Sequence, residues 1–375
     1  MRFIKIILAG LLWASGITTM MAAGQRSYTL NGQWQLSFWK QPAKAVRSPE
    51  AMQHVNSKTI NATVPGNVEL DLQKAGLIAN PMVGNNVNSL RQWEGNQWCY
   101  SRHFATPALN DGERLQLWFG GIDCLADVWL NGKHIGSAEN MMIEHAFDVT
   151  DAVKPAGADN VLQVILRSPV LEAQQNLLGT FSIGGFASEE SAYTRKAPHM
   201  FGWDIMPRLV SAGLWRNVEL RVINPVCFRD VHYYVSEIDT ATRNVQLFAD
   251  VQLSMPMERF DHVTARRTLS RHGKVVYTLE KPVVTQAYRC MWSLDHAELW
   301  WPRGYGGQAL YEARAELVDE TGRVLADNSQ KIGLRTVKLD LNDMNTAEKP
   351  GRFRFIVNGE PIFIHGTNWV PLDAL

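Results

Sequence analysis

From about residue 28 to residue 340, apolar and polar positions alternate in short runs interrupted by Gly, Asn, Asp and Pro. Leu115-Gln116-Leu117-Trp118-Phe119 and Val161-Leu162-Gln163-Val164-Ile165-Leu166 place every second side chain on one face, the period of a half-buried strand. Asp127-Val128-Trp129-Leu130 runs into Asn131-Gly132, a pair that tolerates positive φ at both turn positions and so predicts a hairpin. One segment reads as a helix instead: residues 68–75 follow Pro65-Gly66, with Asn67 placed to cap them and Gly76 to end them. Alternation fails over about 171–213, an irregular stretch holding Gly184-Gly185, Pro198, Phe201-Gly202-Trp203-Asp204 and Pro207. Long loops in compact domains usually carry function. Strand patterning resumes at 215–222, Asn224-Pro225 marks a domain boundary, and a second β segment runs to about 338, the size of an immunoglobulin-like sandwich. A polar connector leads to a hairpin at 353–364, and Gly366-Thr367-Asn368-Trp369-Val370-Pro371 reads as the opening strand of a further domain.

Composition narrows the function classes. At 375 residues the chain is sized for two or three domains, and 46% hydrophobic against 20% charged residues describes a folded protein. Lys+Arg 37 balances Asp+Glu 37, so no basic field exists to hold a phosphate backbone and nucleic acid is not an expected partner. Thirteen Trp against nine Tyr favour carbohydrate chemistry, because indole offers a flat apolar face to a pyranose ring and keeps one polar N–H. Arg2, Lys5, the apolar run 6–14 and Ala22-Ala23 predict a signal peptide over 1–23. The expected protein is exported to the periplasm or beyond, with no membrane contact after cleavage, since the run is shorter than the ~20 residues of a span. Cys99, Cys124, Cys227 and Cys290 sit in strand-like, widely spaced segments; free thiols are the expectation, pairing stays open, and the spacing excludes a zinc ribbon. The ten His show no metal-ligand spacing, and Gly184-Gly185 and Gly306-Gly307 lack the strand–helix setting of a phosphate loop. No cofactor is expected.

Several motifs spread along the chain together carry a resemblance. They are Val64-Pro65-Gly66 with Asp71-Leu72 and 75–78; Trp98 with Tyr100; Gly121-Ile122-Asp123 with 126–132; Arg195-Lys196-Ala197 with Phe201-Gly202-Trp203-Asp204 and Pro207-Arg208; Leu299-Trp300-Trp301-Pro302 with Gly304-Tyr305-Gly306; and Gly333-Leu334-Arg335. In these the chain resembles the N-terminal part of a β-mannosidase of glycoside hydrolase family 2. The resemblance implies a mostly β chain: a jelly-roll, galactose-binding-like sandwich over 24–224, an immunoglobulin-like β-sandwich over 225–340, and over 341–375 the first hairpin and strand of a (β/α)8 catalytic barrel, truncated there. It further implies a β-mannoside oligosaccharide or glycan as partner, a downstream barrel segment as another, and Trp203, Asp204, Asn368 and Trp369 as substrate-binding residues.

Three departures bear on that reading: Ile205-Met206 where relatives commonly show Trp-Gly, His365 for a frequent Lys or Arg, and Leu372 for a smaller residue. A retaining glycosidase needs two carboxyl groups ~5–5.5 Å apart. Glu360 and Asp373 do not match the family's glutamate positions, so no catalytic residue is assigned in this chain and the polypeptide alone is expected to be inactive. Bland readings stand beside the functional ones. Trp203 could pack on its own sheet with Asp204 capping a turn or pairing with Arg208, Trp118 and Trp129 could be core, and Trp300-Trp301-Pro302 and His199 could be structural. Three classes remain: a hydrolase, an accessory carbohydrate-binding module, and an interaction protein on a β-sandwich scaffold.

Overall fold

The structure, a computed structural model, describes residues 26–176, 189–260, 262–341, 346–348 and 351–370. The expected signal peptide, Gly184-Gly185, Leu372 and Asp373 lie outside them. The fold is mostly β, as expected, and falls into two compact units.

The first unit, built on Arg26–Pro225, holds ten strands: β1 (Ser27–Thr29), β2 (Gly32–Lys40), β3 (Lys58–Val64), β4 (Asn96–Ala105), β5 (Arg114–Phe119), β6 (Ala126–Leu130), β7 (Lys133–Ala138), β8 (His145–Asp148), β9 (Asp159–Leu166) and β10 (Val218–Ile223). They form a six-stranded sheet ordered β3-β2-β4-β9-β6-β7 and a four-stranded sheet ordered β1-β10-β5-β8, antiparallel throughout. Alternation decides which side chains meet between the sheets: Leu115, Leu117 and Phe119 of β5 and Val218, Leu220 and Val222 of β10 join Leu36, Tyr100, Val128 and Val164 of the larger sheet in one buried core. The predicted hairpin is β6–β7, closed by Asn131-Gly132. The predicted helix is present at Val68–Lys74, where the Asn67 side chain accepts a hydrogen bond from the Leu70 amide at 3.0 Å.

The same alternation corrects the expectation that Trp118 and Trp129 are core. Each is half-buried on the outward face of its strand, because its neighbours point inward. Trp118 lies under the Arg221 guanidinium, 3.6 Å from the ring centroid. Trp129 donates to the Arg47 carbonyl at 2.8 Å and packs against a small second cluster of Trp39, Val46, Cys99 and Ile165. All four cysteines are free thiols.

The second unit, Val226–Val337 with Val357–Gly359, is a seven-stranded sandwich. β11 (Cys227–Asp239), β12 (Asn244–Ser254) and β15 (Ala287–Leu294) form one sheet; β14 (Lys274–Pro282), β13 (Val263–Arg271), β16 (Tyr311–Asp319) and β17 (Val324–Ile332) form the other. Leu247, Val251 and Trp292 meet Ala265, Leu269 and Leu317 in its core. Trp300 and Trp301 are half-buried and packed so closely that a Cβ on Gly333 or Gly306 would strike their rings, which gives them a structural part. A separate three-stranded sheet follows, β18 (Val337–Leu341), β19 (Phe353–Val357) and β20 (Glu360–Ile362). Residue 340, the expected edge of the sandwich, falls inside β18, and the hairpin therefore has a third strand beside it.

Candidate functional site

Residues 195–214, the last part of the irregular stretch, form a loop with a clamped stem. On the outgoing side Arg195 forms a parallel bridge with Asn140, and its carbonyl accepts from the Met141 amide at 3.0 Å. On the return side Ala212, Gly213 and Leu214 are stitched to two neighbours. The Val68 and Gly66 amides donate to the Ala212 and Leu214 carbonyls at 2.9 and 3.0 Å, and Asp123 and Gly213 exchange backbone bonds of 2.8 and 3.2 Å. Gly213 is obligatory here, since a Cβ would sit 2.6 Å from the Gly66 carbonyl oxygen.

Between the two sides lies a buried charged cluster. Lys196, 2% exposed, donates to the Asp123 carboxylate and, at 2.8 Å, to the Ser211 carbonyl, while the Ser211 hydroxyl donates to Glu69 at 2.6 Å. Burial pushes Glu69 up to about 7 and Asp71, on the same helix, to about 6; the Ser211 bond opposes the first and a 3.0 Å bond from the Thr63 amide the second. Burial also lifts the Asp123 carboxyl above its ordinary value, with the Lys196 ammonium opposing it. Lys196, Asp123 and Asp71 stand in the motifs that carry the resemblance, but the meeting of Lys196 and Asp123 in a buried cluster is not visible in the sequence. The signal for Asp71 was available: it lies three residues after Val68 and beside Leu72, on the helix's apolar face.

The loop bears its candidate residues at the far end. Gly202 takes φ +102° with Arg208 Cβ 3.3 Å from where its own Cβ would stand, a conformation open to glycine alone. Trp203 and Met206 then exchange backbone bonds of 3.1 and 3.2 Å, a tight turn that holds Trp203, Asp204 and Ile205 out to solvent. Trp203 is 42% exposed, so it does not plug its own sheet. Nor does Arg208 pair with Asp204. It makes a two-pronged bond to Glu94, with Nε and Nη2 each 2.9 Å from a carboxylate oxygen, and a further bond of 3.3 Å to the Phe201 carbonyl. Asp204 has no side-chain partner among the described residues. His199, beside this stem, is pushed below its ordinary value by burial and by Lys196.

Asn368 and Trp369 stand apart from that arrangement. Residues 363–370 have no regular structure, Trp369 is 77% exposed, and among the described residues no hydrogen bond or ring contact joins either residue to Trp203 or Asp204. Among the described residues no group of three His, Cys, Asp or Glu could hold a metal, and no helix is long and apolar enough to cross a membrane.

Residues 49–216, which include the whole loop, match the glycosyl hydrolase 2 galactose-binding domain-like family, and residues 228–335 match glycosyl hydrolases family 2. Beta-mannosidase B of Aspergillus clavatus is 32% identical over 324 residues, 83% of this chain and 36% of that protein. The Aspergillus oryzae enzyme of the same name is 31% identical over 88% of this chain and 38% of its own length. Among solved structures, the beta-D-mannosidase of Dictyoglomus thermophilum superposes with a TM-score of 0.75 at 31% identity, over 93% of this chain and 41% of that one. A beta-glucuronidase of Bifidobacterium dentium, at 24% identity and TM-score 0.60 over 90% of this chain and 51% of that one, shares the fold. The chain thus spans under half the length of the three mannosidases it matches. Its two sandwiches are the N-terminal domains of glycoside hydrolase family 2, and the chain belongs to that family as a relative of the N-terminal portion of its β-mannosidases.

Proposed function

We propose that this chain forms the β-sandwich portion of an exported, retaining β-mannoside hydrolase, with the Trp203-Asp204 turn bordering the sugar site. The observation that carries the reading is the match to a β-D-mannosidase at 31% identity over 93% of the chain. The turn supplies suitable chemistry. A carboxylate accepts from two neighbouring sugar hydroxyls, an indole face covers the C–H side of a pyranose, and both groups are already exposed on a fixed stem. Asn368 and Trp369 join this reading as companions through resemblance alone. In this reading these residues contact substrate, and the pair of carboxyl groups that cleaves the bond is supplied by the remaining length of the enzyme. Arg2, Lys5 and the apolar run behind them support export, and N-terminal sequencing of the secreted protein is expected to begin near Ala23 or Gly24. A soluble cytoplasmic protein retaining Met1 would contradict it.

The experiment joins residues 1–375 to the remaining length of one of these β-mannosidases and compares aryl β-mannoside with aryl β-glucuronide. Preferred hydrolysis of the mannoside, with none by the 375-residue polypeptide alone, is the expected result. A joined enzyme that folds and ignores the mannoside would overturn the reading, as would hydrolysis by the polypeptide alone that disappears with Glu360→Gln. One wall of a pocket holds a monosaccharide weakly, so mannose binding by the polypeptide at roughly millimolar affinity or better would favour an accessory binding module.

A further inference from the structure

We infer that Lys196 is a positioning residue for the Trp203-Asp204 turn: its buried ammonium ties the outgoing end of the loop to the returning end and so sets where the turn stands. The inference rests on the proposed sugar-site reading for its functional meaning and on geometry alone for its structural one. Lys196 and Ser211 are 15 residues apart in sequence and flank the loop directly, yet the ammonium reaches the Ser211 carbonyl at 2.8 Å while bonding Asp123 of the sheet. A lysine with its side chain fully buried is rare unless paired, and an aliphatic side chain would fill the same core with no desolvation cost. What the ammonium supplies that a methyl cannot is direction: separate N–H donors aimed at two chain segments at once. Three further ties leave the turn little room of its own. Ser211 is held to Glu69, Arg208 to Glu94 and to Phe201, and the Leu209 amide donates to the Met200 carbonyl at 2.9 Å. Lys196 is the tie at the base of the loop, below the Met200–Leu209 and Phe201–Arg208 bonds that join its two sides nearer the turn.

Such a role differs from core filling in a measurable way. Breaking a buried pair by removing one partner leaves an uncompensated charge and weakens the whole unit, whereas replacing both partners by apolar residues of similar volume restores stability and leaves the tether absent. Amide hydrogen exchange on the 375-residue protein therefore separates the two. Lys196→Met is expected to lower the melting temperature and to speed exchange throughout the first unit. The double variant Asp123→Leu/Lys196→Met is expected to regain the melting temperature and the slow exchange of the Asp159–Leu166 strand. Across residues 198–210 it should still exchange about ten- to a hundredfold faster than wild type. Ser211→Ala, a milder change that removes only the Glu69 bond, should speed exchange over the same residues about tenfold and nowhere else. Wild-type exchange over 198–210 in the double variant, or in Lys196→Met should the double variant not fold, overturns the tether. The sugar reading fails separately: if these variants release the loop while Asp204→Ala leaves hydrolysis by the joined enzyme unchanged, the tether stands and the turn has another purpose.

Discussion

Trp203 and Trp369 are both solvent-facing tryptophans for which the family resemblance implies sugar contact, and the protein treats them differently. Trp203 sits in a four-residue turn whose backbone is bonded to itself, on a stem held by Lys196, Ser211 and Arg208. Trp369 belongs to a segment without regular structure, where the side-chain bond nearby runs from Thr367 to the Asn368 carbonyl. Fixing one residue's backbone costs about 1–2 kcal/mol, and folding has already met that cost at Trp203. A contact residue is worth most when its position is settled before the ligand arrives. The comparison therefore separates a residue held on a clamped stem from one in a segment without regular structure, and it locates the difference in buried charge at the stem.

The largest expected effect comes from breaking that stem. Lys196→Met leaves Asp123 buried and unpaired, and urea unfolding should show a loss of about 3–5 kcal/mol with little change in the slope. Next is pH. Glu69 binds its proton more tightly in the folded state, about 7 against an unfolded 4.5. Its contribution is therefore complete below about pH 4.5 and is lost as pH rises through about 7, on the order of 3 kcal/mol, and Asp71 adds to the same trend. Glu69→Gln should flatten that part of the stability profile measured by urea titration between pH 4.5 and 7.5; an unchanged profile would mean that another group titrates there. Arg208→Met should cost about 1.5–3 kcal/mol by the same assay, because Glu94 then loses its two-pronged charged partner. The smallest effect belongs to the tryptophans themselves: Trp203→Ala and Trp369→Ala should each stay within about 0.5 kcal/mol of wild type, as exposed substitutions do. A loss of several kcal/mol for Trp369→Ala would erase the contrast by showing that its segment is anchored too.

How far the sequence was legible follows from the range of the interactions involved. Strand alternation is local, so β5, β9, the Asn131-Gly132 hairpin and the Asn67-capped helix could be read from neighbouring residues. Trp118 and Trp129 fooled the same rule because they are large and apolar on the outward face, where Arg221 covers one and a second small cluster covers the other. Lys196 was illegible for a different reason. Lysine reads as surface, and its partner Asp123 lies 73 residues away, a distance no periodicity spans. The boundary at 340 cuts through β18 because that strand's pairing with β19 depends on a hairpin further along the chain, beyond the reach of local alternation. The Trp203-Asp204 turn was picked out by resemblance, and its exposure came only with the structure.

The central claim is that an exposed turn on a clamped stem forms one wall of the sugar site, and Asp204 tests it most directly. Asp204→Ala removes no bond to any described residue and should leave folding unchanged. In the joined enzyme, loss of one charge-assisted contact to a sugar hydroxyl would cost about 1.5–3 kcal/mol. The measurement is kcat/KM for an aryl β-mannoside, with the melting temperature as control. The account predicts a fall of roughly 10- to 150-fold at constant melting temperature. Unchanged kcat/KM would contradict it and leave the turn a packing element of the sandwich.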